Sequence, residues 1–249
     1  LRDVEAFAVV LQIPGQDGLL PATDELRSIA EQAHSVGALV IAAVDPLLLT
    51  LVVPPGEWGA DVAVGSTQRF GVPLFYGGPH AAFMSVRKGL ERQMPGRLVG
   101  VSKDSSGTPA LRLALQTREQ HIRRERATSN ICTSQALLAV VASMYAVHHG
   151  PTGLTRIARE VSGKASRLAG VLRRSGWEVR HKDFFDTITV ETPGEACKIV
   201  RQAREAGIHL RQIDSDAVGV SVGEDSTEED LRAVASAFDA VWDDQPGWG

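Results

Sequence analysis

The sequence predicts an α/β fold in which a mostly parallel sheet is followed by a small α+β region. Three observations support this. Residues 6–13 and 39–44 are apolar runs of strand length, and between them Leu26, Ile29, Ala30 and Ala33 recur at helical spacing. Strand, amphipathic helix and buried strand make a βαβ unit, which closes as a parallel pair with a right-handed crossover. Beyond Gly150 the order changes to helix, strand, helix, two short strands and helix, the pattern of an α+β unit. The chain has 249 residues, 43% of them hydrophobic, enough for one sizeable core or for a large and a small domain. The expected division is residues 1–150 and residues 151–249.

The elements follow in order. Pro14-Gly15 ends the first run. Thr23 or Asp24 is expected to cap the helix after it, and Gly37 to stop that helix. The run 39–44 ends at Asp45-Pro46. Further strands are expected at 61–64 and 81–86, and a loop rich in Gly, Ser, Lys and Asp over 96–108. A long helix is expected from Cys132 or Thr133 to His149, stopped by Gly150-Pro151. After it come a helix over 154–175, a strand over 186–190, a helix over 195–206 and short strands at 208–212 and 218–222. Ser226 or Thr227, ahead of Glu229 and Asp230, signals the start of the last helix. Residues 243–249 are expected to fray.

Composition excludes several classes of function. A net charge of -4 offers no global field for nucleic acid or a membrane surface. No apolar run approaches the roughly 20 residues of a membrane span. Cys132 and Cys197 provide neither a disulfide framework nor metal-ligand spacing, so a reducing, cytoplasmic compartment is expected. His148-His149 are adjacent on a helix and do not face each other, which favours a surface pair near a helix end over a metal site. The first residues hold no initiator Met and no signal segment, and the chain enters a core strand at once. A piece of a longer protein, lacking an upstream segment, is expected.

Three places could carry chemistry. Asp45 closes an apolar strand before Pro46, where a carboxylate either caps a turn or meets a ligand at the strand end. Tyr76-Gly77-Gly78-Pro79-His80 is either a tight connection or a point where backbone approaches a ligand, since glycine has no Cβ to block it. The densest place is 116–132, with Arg118, His121, Arg123, Arg124 and Arg126, then Thr128-Ser129-Asn130, just before the long helix. A helix N-terminus presents free N–H groups and a positive dipole end, a site for phosphate or carboxylate, and arginine adds bidentate recognition. The plainer alternative is a solvated charged face with Ser129 or Asn130 as N-cap. The arginines are too closely spaced to share one helix face.

Together these pieces resemble a known family. The carrying stretches are Pro54-Pro55-Gly56-Glu57, Gly65-Ser66-Thr67-Gln68-Arg69-Phe70-Gly71-Val72-Pro73-Leu74, Tyr76 to Ala82, Met94-Pro95-Gly96-Arg97, Leu113 to Arg124, and Ala127 to Cys132. They are similar to the glycine dehydrogenase (decarboxylating) family, the P-proteins of the glycine cleavage system, over nearly the whole chain. The resemblance implies a pyridoxal-phosphate (PLP) fold type I architecture, with the latter, incomplete part of a large domain in residues 1–150. The family is built of two homologous halves, fused or separate, with the Schiff-base lysine in the C-terminal half. The motifs here are those of the half without it. Gln68 falls at the lysine position, and its amide nitrogen is not nucleophilic, so no catalytic residue is expected on this chain.

The resemblance further implies a vestigial pocket of Asp45, Gln68 and His80, with Asp45 where a carboxylate pairs with the pyridinium nitrogen. Thr128, Ser129 and Asn130 would reach the phosphate of PLP held by the partner half. Arg118 and His121 would lie at the interface or substrate entry. The implied partners are the catalytic half or subunit, glycine and the lipoylated H-protein, which receives the aminomethyl group as CO2 leaves. Two alternatives stand beside this. A PLP-dependent lyase or aminotransferase of another class would need its lysine among Lys88, Lys103, Lys164, Lys182 and Lys198, none of which follows a strand and precedes a glycine turn as Gln68 does. A non-enzymatic, partner-binding subunit would need no lysine at all.

Overall fold

A computed structural model of the chain describes residues 5–115, 119–127 and 135–243. Apolar residues on alternate positions put Val40, Ala42 and Val44 of strand β2 (Leu39–Val44) into the core. Strand β1 (Ala8–Ile13) runs parallel to it, in register from Ala8 opposite Leu39 to Ile13 opposite Val44. Between them helix α1 (Thr23–Ser35) buries Leu26, Ala30 and Ala33 on the stripe its spacing predicts. The expected side-chain cap does not form. The N-cap is Ala22, and Asp24 instead pairs with Arg27 in the first turn at 2.7 Å. Gly37 ends the helix with φ 78°, as expected of a residue that must turn left-handed.

A buried turn at Leu47-Leu48 and the short helix α2 (Pro55–Trp58), with Trp58 in the core, lead into β3 (Val62–Ser66). β3 is parallel to β2, and β4 (Ala82–Val86) adds antiparallel to β3, giving the order β1-β2-β3-β4. The sheet is thus parallel but for its last strand.

The loop expected over 96–108 is instead a hairpin. β5 (Leu98–Lys103) and β6 (Pro109–Ala114) pair antiparallel, with Val99 opposite Leu113 and Val101 opposite Leu111. All four of these side chains lie on one face and are exposed. The sequence does alternate apolar with small or polar residues over Val99 to Ser102 and Ala110 to Leu113, the strand period, but Gly96 and Lys103-Asp104-Ser105-Ser106-Gly107 signal a loop across it. Helix α3 (Gln120–Arg123) and a single turn over Arg124–Arg126 hold the arginine-rich segment.

Helix α4 (Ala136–Arg174) is two helical stretches joined at Gly150, whose φ 62° and ψ 179° are not helical, with Pro151 next. The break lies where the Gly-Pro pair predicts it. The chain ends in a second, antiparallel sheet. Its order is β7 (Glu178–Val179), β8 (Thr187–Glu191), β10 (Ala217–Ser221), β9 (Arg211–Gln212). Helices α5 (Ala196–Glu205) and α6 (Glu228–Ala237) pack with it. Thr227 provides the expected cap for α6. Its hydroxyl accepts from the Asp230 N–H at 3.1 Å, while Asp230 accepts from the Thr227 N–H at 2.7 Å. One continuous buried cluster joins Ile13 and Val44 to Leu168, Phe185, Val190 and Phe238.

Candidate functional site

Ligands in open α/β sheets meet the carboxyl ends of the strands, where side chains and free backbone groups converge. Here the chain segments leaving β1, β2 and β3 do converge. Gln12 to Gln16, Asp45-Pro46, Gly65-Ser66 and Gln68-Arg69 line a cleft of about 500 Å³, closed from the other side by Asp186, Thr187 and residues of β9 and β10.

Local sequence explains each wall. Asp45 comes directly after β2, and its Oδ1 accepts the Leu47 N–H at 2.8 Å, which fixes the carboxylate. Gly65 is required where β3 passes the end of β2, because a Cβ there would lie 2.2 Å from the Val44 carbonyl oxygen and 2.6 Å from the Phe83 ring. Gln68 sits in the turn after β3, where its N–H donates to Ser66 Oγ at 3.2 Å and its carbonyl accepts from Val72 N at 3.1 Å. Arg69 follows it. Its Nε is 3.1 Å from Asp45 Oδ2, and its terminal amine pairs with Asp186 Oδ2.

The loop after β1 is stitched to the second sheet. Thr189 Oγ1 donates to the Asp17 carbonyl at 2.8 Å, Arg211 donates to the Gln16 carbonyl at 2.8 Å, and His181 Nε2 meets Asp17 Oδ2 at 2.6 Å. Gly18 passes so close that a Cβ would lie 2.1 Å from the Thr187 carbonyl oxygen. Burial alone would raise the Asp17 carboxyl. Hydrogen bonds from His181 and the Leu19 N–H, with the His181 charge, outweigh burial and hold it below the usual range.

The structure brings Asp45 and Gln68 together in one cleft and leaves His80 out of it. His80 is exposed in the turn before β4, because Phe75, Tyr76 and Gly77, all at positive φ, carry that turn along the surface. His121 is exposed on α3, two residues after the buried Glu119, whose Oε2 lies 3.4 Å from Arg97 Nε. Arg118, Thr128, Ser129, Asn130 and Cys132 lie outside the described residues. No group of His, Cys, Asp or Glu among the described residues is arranged to hold a metal ion. Sequence reasoning missed Arg69 and Asp186. Arg69 stood inside a quoted motif beside Gln68, yet nothing local shows that its carboxylate partners come from two different sheets.

Comparisons with known proteins agree on what this chain is similar to. The family model for the glycine cleavage system P-protein matches residues 2–238. The chain is 55% identical over 247 residues to the glycine dehydrogenase (decarboxylating) of Cutibacterium acnes, covering 98% of this chain and 24% of that protein. It is 56% identical over 241 residues to the protein of the same name from Stenotrophomonas maltophilia strain K279a, covering 97% and 25%. The chain thus spans about a quarter of the length of these curated relatives. Among solved structures, glycine decarboxylase (P-protein) of the glycine cleavage system, in inhibitor-bound form, superposes with a TM-score of 0.80 and 38% identity, over 92% of this chain and 54% of that one. A NifS-like protein superposes with a TM-score of 0.60 at 16% identity, over 96% and 62%, and shares the fold alone.

Proposed function

The chain belongs to the glycine cleavage system P-protein family, and from that premise we propose that it is the part of a PLP-dependent glycine decarboxylase that lacks the Schiff-base lysine. The whole protein would release CO2 from glycine and pass the aminomethyl group to the lipoyl arm of the H-protein. This part would supply a folded partner surface and groups that reach the cofactor held by the lysine-bearing half. When bound there, PLP supplies the electron sink for decarboxylation.

One observation carries the reading: Gln68 occupies the turn after β3, in the cleft with Asp45, and among the described residues no lysine lines that cleft. The cleft does not suit PLP. The cofactor needs an amine to hold it, and a carboxylate free to pair with its ring nitrogen. Gln68 offers no amine, and Asp45 already pairs with Arg69. Lys164, one of the candidate amines for another enzyme class, donates instead to the Glu224 carbonyl at 2.8 Å, away from the cleft. Exposed apolar side chains support the partner role. Leu74 and Phe75 in the glycine turn, Val99, Val101 and Leu111 on the hairpin, and Leu137 and Val147 on α4 all face solvent.

The test is reductive trapping with PLP and borohydride, on this chain alone and on its assembly with the lysine-bearing half. The expected result is stoichiometric labelling of one lysine in the other half and, with lipoylated H-protein supplied as acceptor, glycine-dependent CO2 release from the assembly only. A stoichiometric adduct on any single lysine of this chain would overturn the reading.

A further inference from the structure

We propose that Arg69 is the built-in occupant of the cleft: its guanidinium, held between Asp45 and Asp186, fills the place a small-molecule cation would take and clasps the first sheet to the second. The inference stands on the geometry of this chain alone, whatever the activity of the assembly.

The two carboxylates come from opposite sides of the cleft. Asp45 directly follows β2 of the first sheet, and Asp186 directly precedes β8 of the second. Their side chains are only 16% and 7% exposed, and Arg69 only 28%. Two carboxylates so sheltered repel each other unless a cation stands between them. Each is prepared in the same way. One oxygen is held by a local donor: Asp45 Oδ1 takes the Leu47 N–H at 2.8 Å, and Asp186 Oδ1 takes the Thr187 hydroxyl at 3.0 Å. The other oxygen, Oδ2 in both, is turned to Arg69. A guanidinium suits this arrangement because its donors diverge in one rigid plane, so Nε can serve one carboxylate while a terminal amine serves the other. An ammonium has no such plane.

The backbone holds the arginine to the task. The Phe70 N–H bonds to the Thr67 carbonyl at 2.9 Å and the Val72 N–H to that of Gln68 at 3.1 Å, closing the turn that carries Arg69. A cationic ligand seeking Asp45 must therefore displace the chain's own cation and part the two sheets. With Arg69 truncated, the cleft becomes a site for a free guanidinium.

Chemical rescue tests this. Arg69→Ala should lower Tm by roughly 5–15 °C, since it leaves two sheltered carboxylates unpaired. Millimolar methylguanidinium should restore part of the loss, while methylammonium or sodium chloride at the same ionic strength should not. A Tm within about 2 °C of the parent, or equal rescue by methylammonium, would overturn the proposal. If Arg69→Ala does not fold, Arg69→Lys takes its place in a cycle with Asp45→Asn/Asp186→Asn. The loss caused by Arg69→Lys should largely vanish in that background, and an undiminished loss there would equally overturn the clasp.

Discussion

Helix α4 contains two stretches with opposite fates. After the Gly150 break, Ile157, Ala158, Val161, Ala165, Leu168 and Leu172 are buried against the second sheet and its helices. Before the break the helix buries Leu138 and Ala142 but leaves Leu137 74% exposed and Val147 73% exposed, with Val140 and Met144 between them. Leu137, Val140, Met144 and Val147 recur at spacings of three and four, so they form a stripe along one face. Both stretches have the composition of core helices. Among the described residues the second stretch is enclosed by the main core, whereas the first sets one face on a small cluster with Val72 and Ala81 and leaves another outward. Amphipathicity says that a face is to be covered, not by what, and here the same signal serves an internal core in one stretch and an outward surface in the other. Tyr145 ties the outward stretch to the rest through a 2.6 Å bond from its hydroxyl to Glu224 Oε2. Burial and the neighbouring Glu224 carboxylate push that hydroxyl's pKa well up, so it stays a donor.

The comparison can be broken by substitution. Leu168→Ala, in the buried stretch and fully enclosed, should cost about 2–5 kcal/mol in a urea melt, with the slope unchanged. A cost under about 0.5 kcal/mol, the level of an ordinary surface change, would show that this stretch is no more a core than the other. A second substitution sharpens the role of the outward stretch by acting just ahead of it. Thr128→Ala with Asn130→Ala, in the assembled protein, should weaken PLP binding about ten- to a hundredfold through lost charge-assisted hydrogen bonds. A mere cap at that position predicts a stability loss of roughly 1 kcal/mol with cofactor affinity unshifted, and a PLP titration separates the two. The smallest effect belongs to the stripe. Leu137→Ser with Val147→Ser should leave stability within about 0.5 kcal/mol, yet weaken association with the lysine-bearing half about tenfold by removing exposed apolar area. Equal association of the double variant and the parent, by sedimentation, would remove the stripe from the interface.

What the sequence could determine by itself was local. The span of β2, the Gly37 and Gly150-Pro151 stops and the Thr227 capping box are read from periodicity and end signals that act within a few residues, and the structure keeps all of them. The family resemblance, not local pattern, put Asp45 and Gln68 in one pocket, and the structure supplies the physical reason: each lies just past a strand of the parallel sheet, where such strand ends meet. Tertiary structure decided the rest. The hairpin of β5 and β6 escaped detection because its short alternating runs are interrupted by the loop-forming stretch Asp104 to Gly107, and only the structure shows them paired with their apolar face toward solvent. His80 left the cleft because a run of left-handed residues carried its turn outward. Arg69 acquired its place only when two sheets brought Asp45 and Asp186 to either side of it. An ion pair between segments far apart in the chain leaves no trace in local pattern, since its geometry exists only after the cores on both sides have packed.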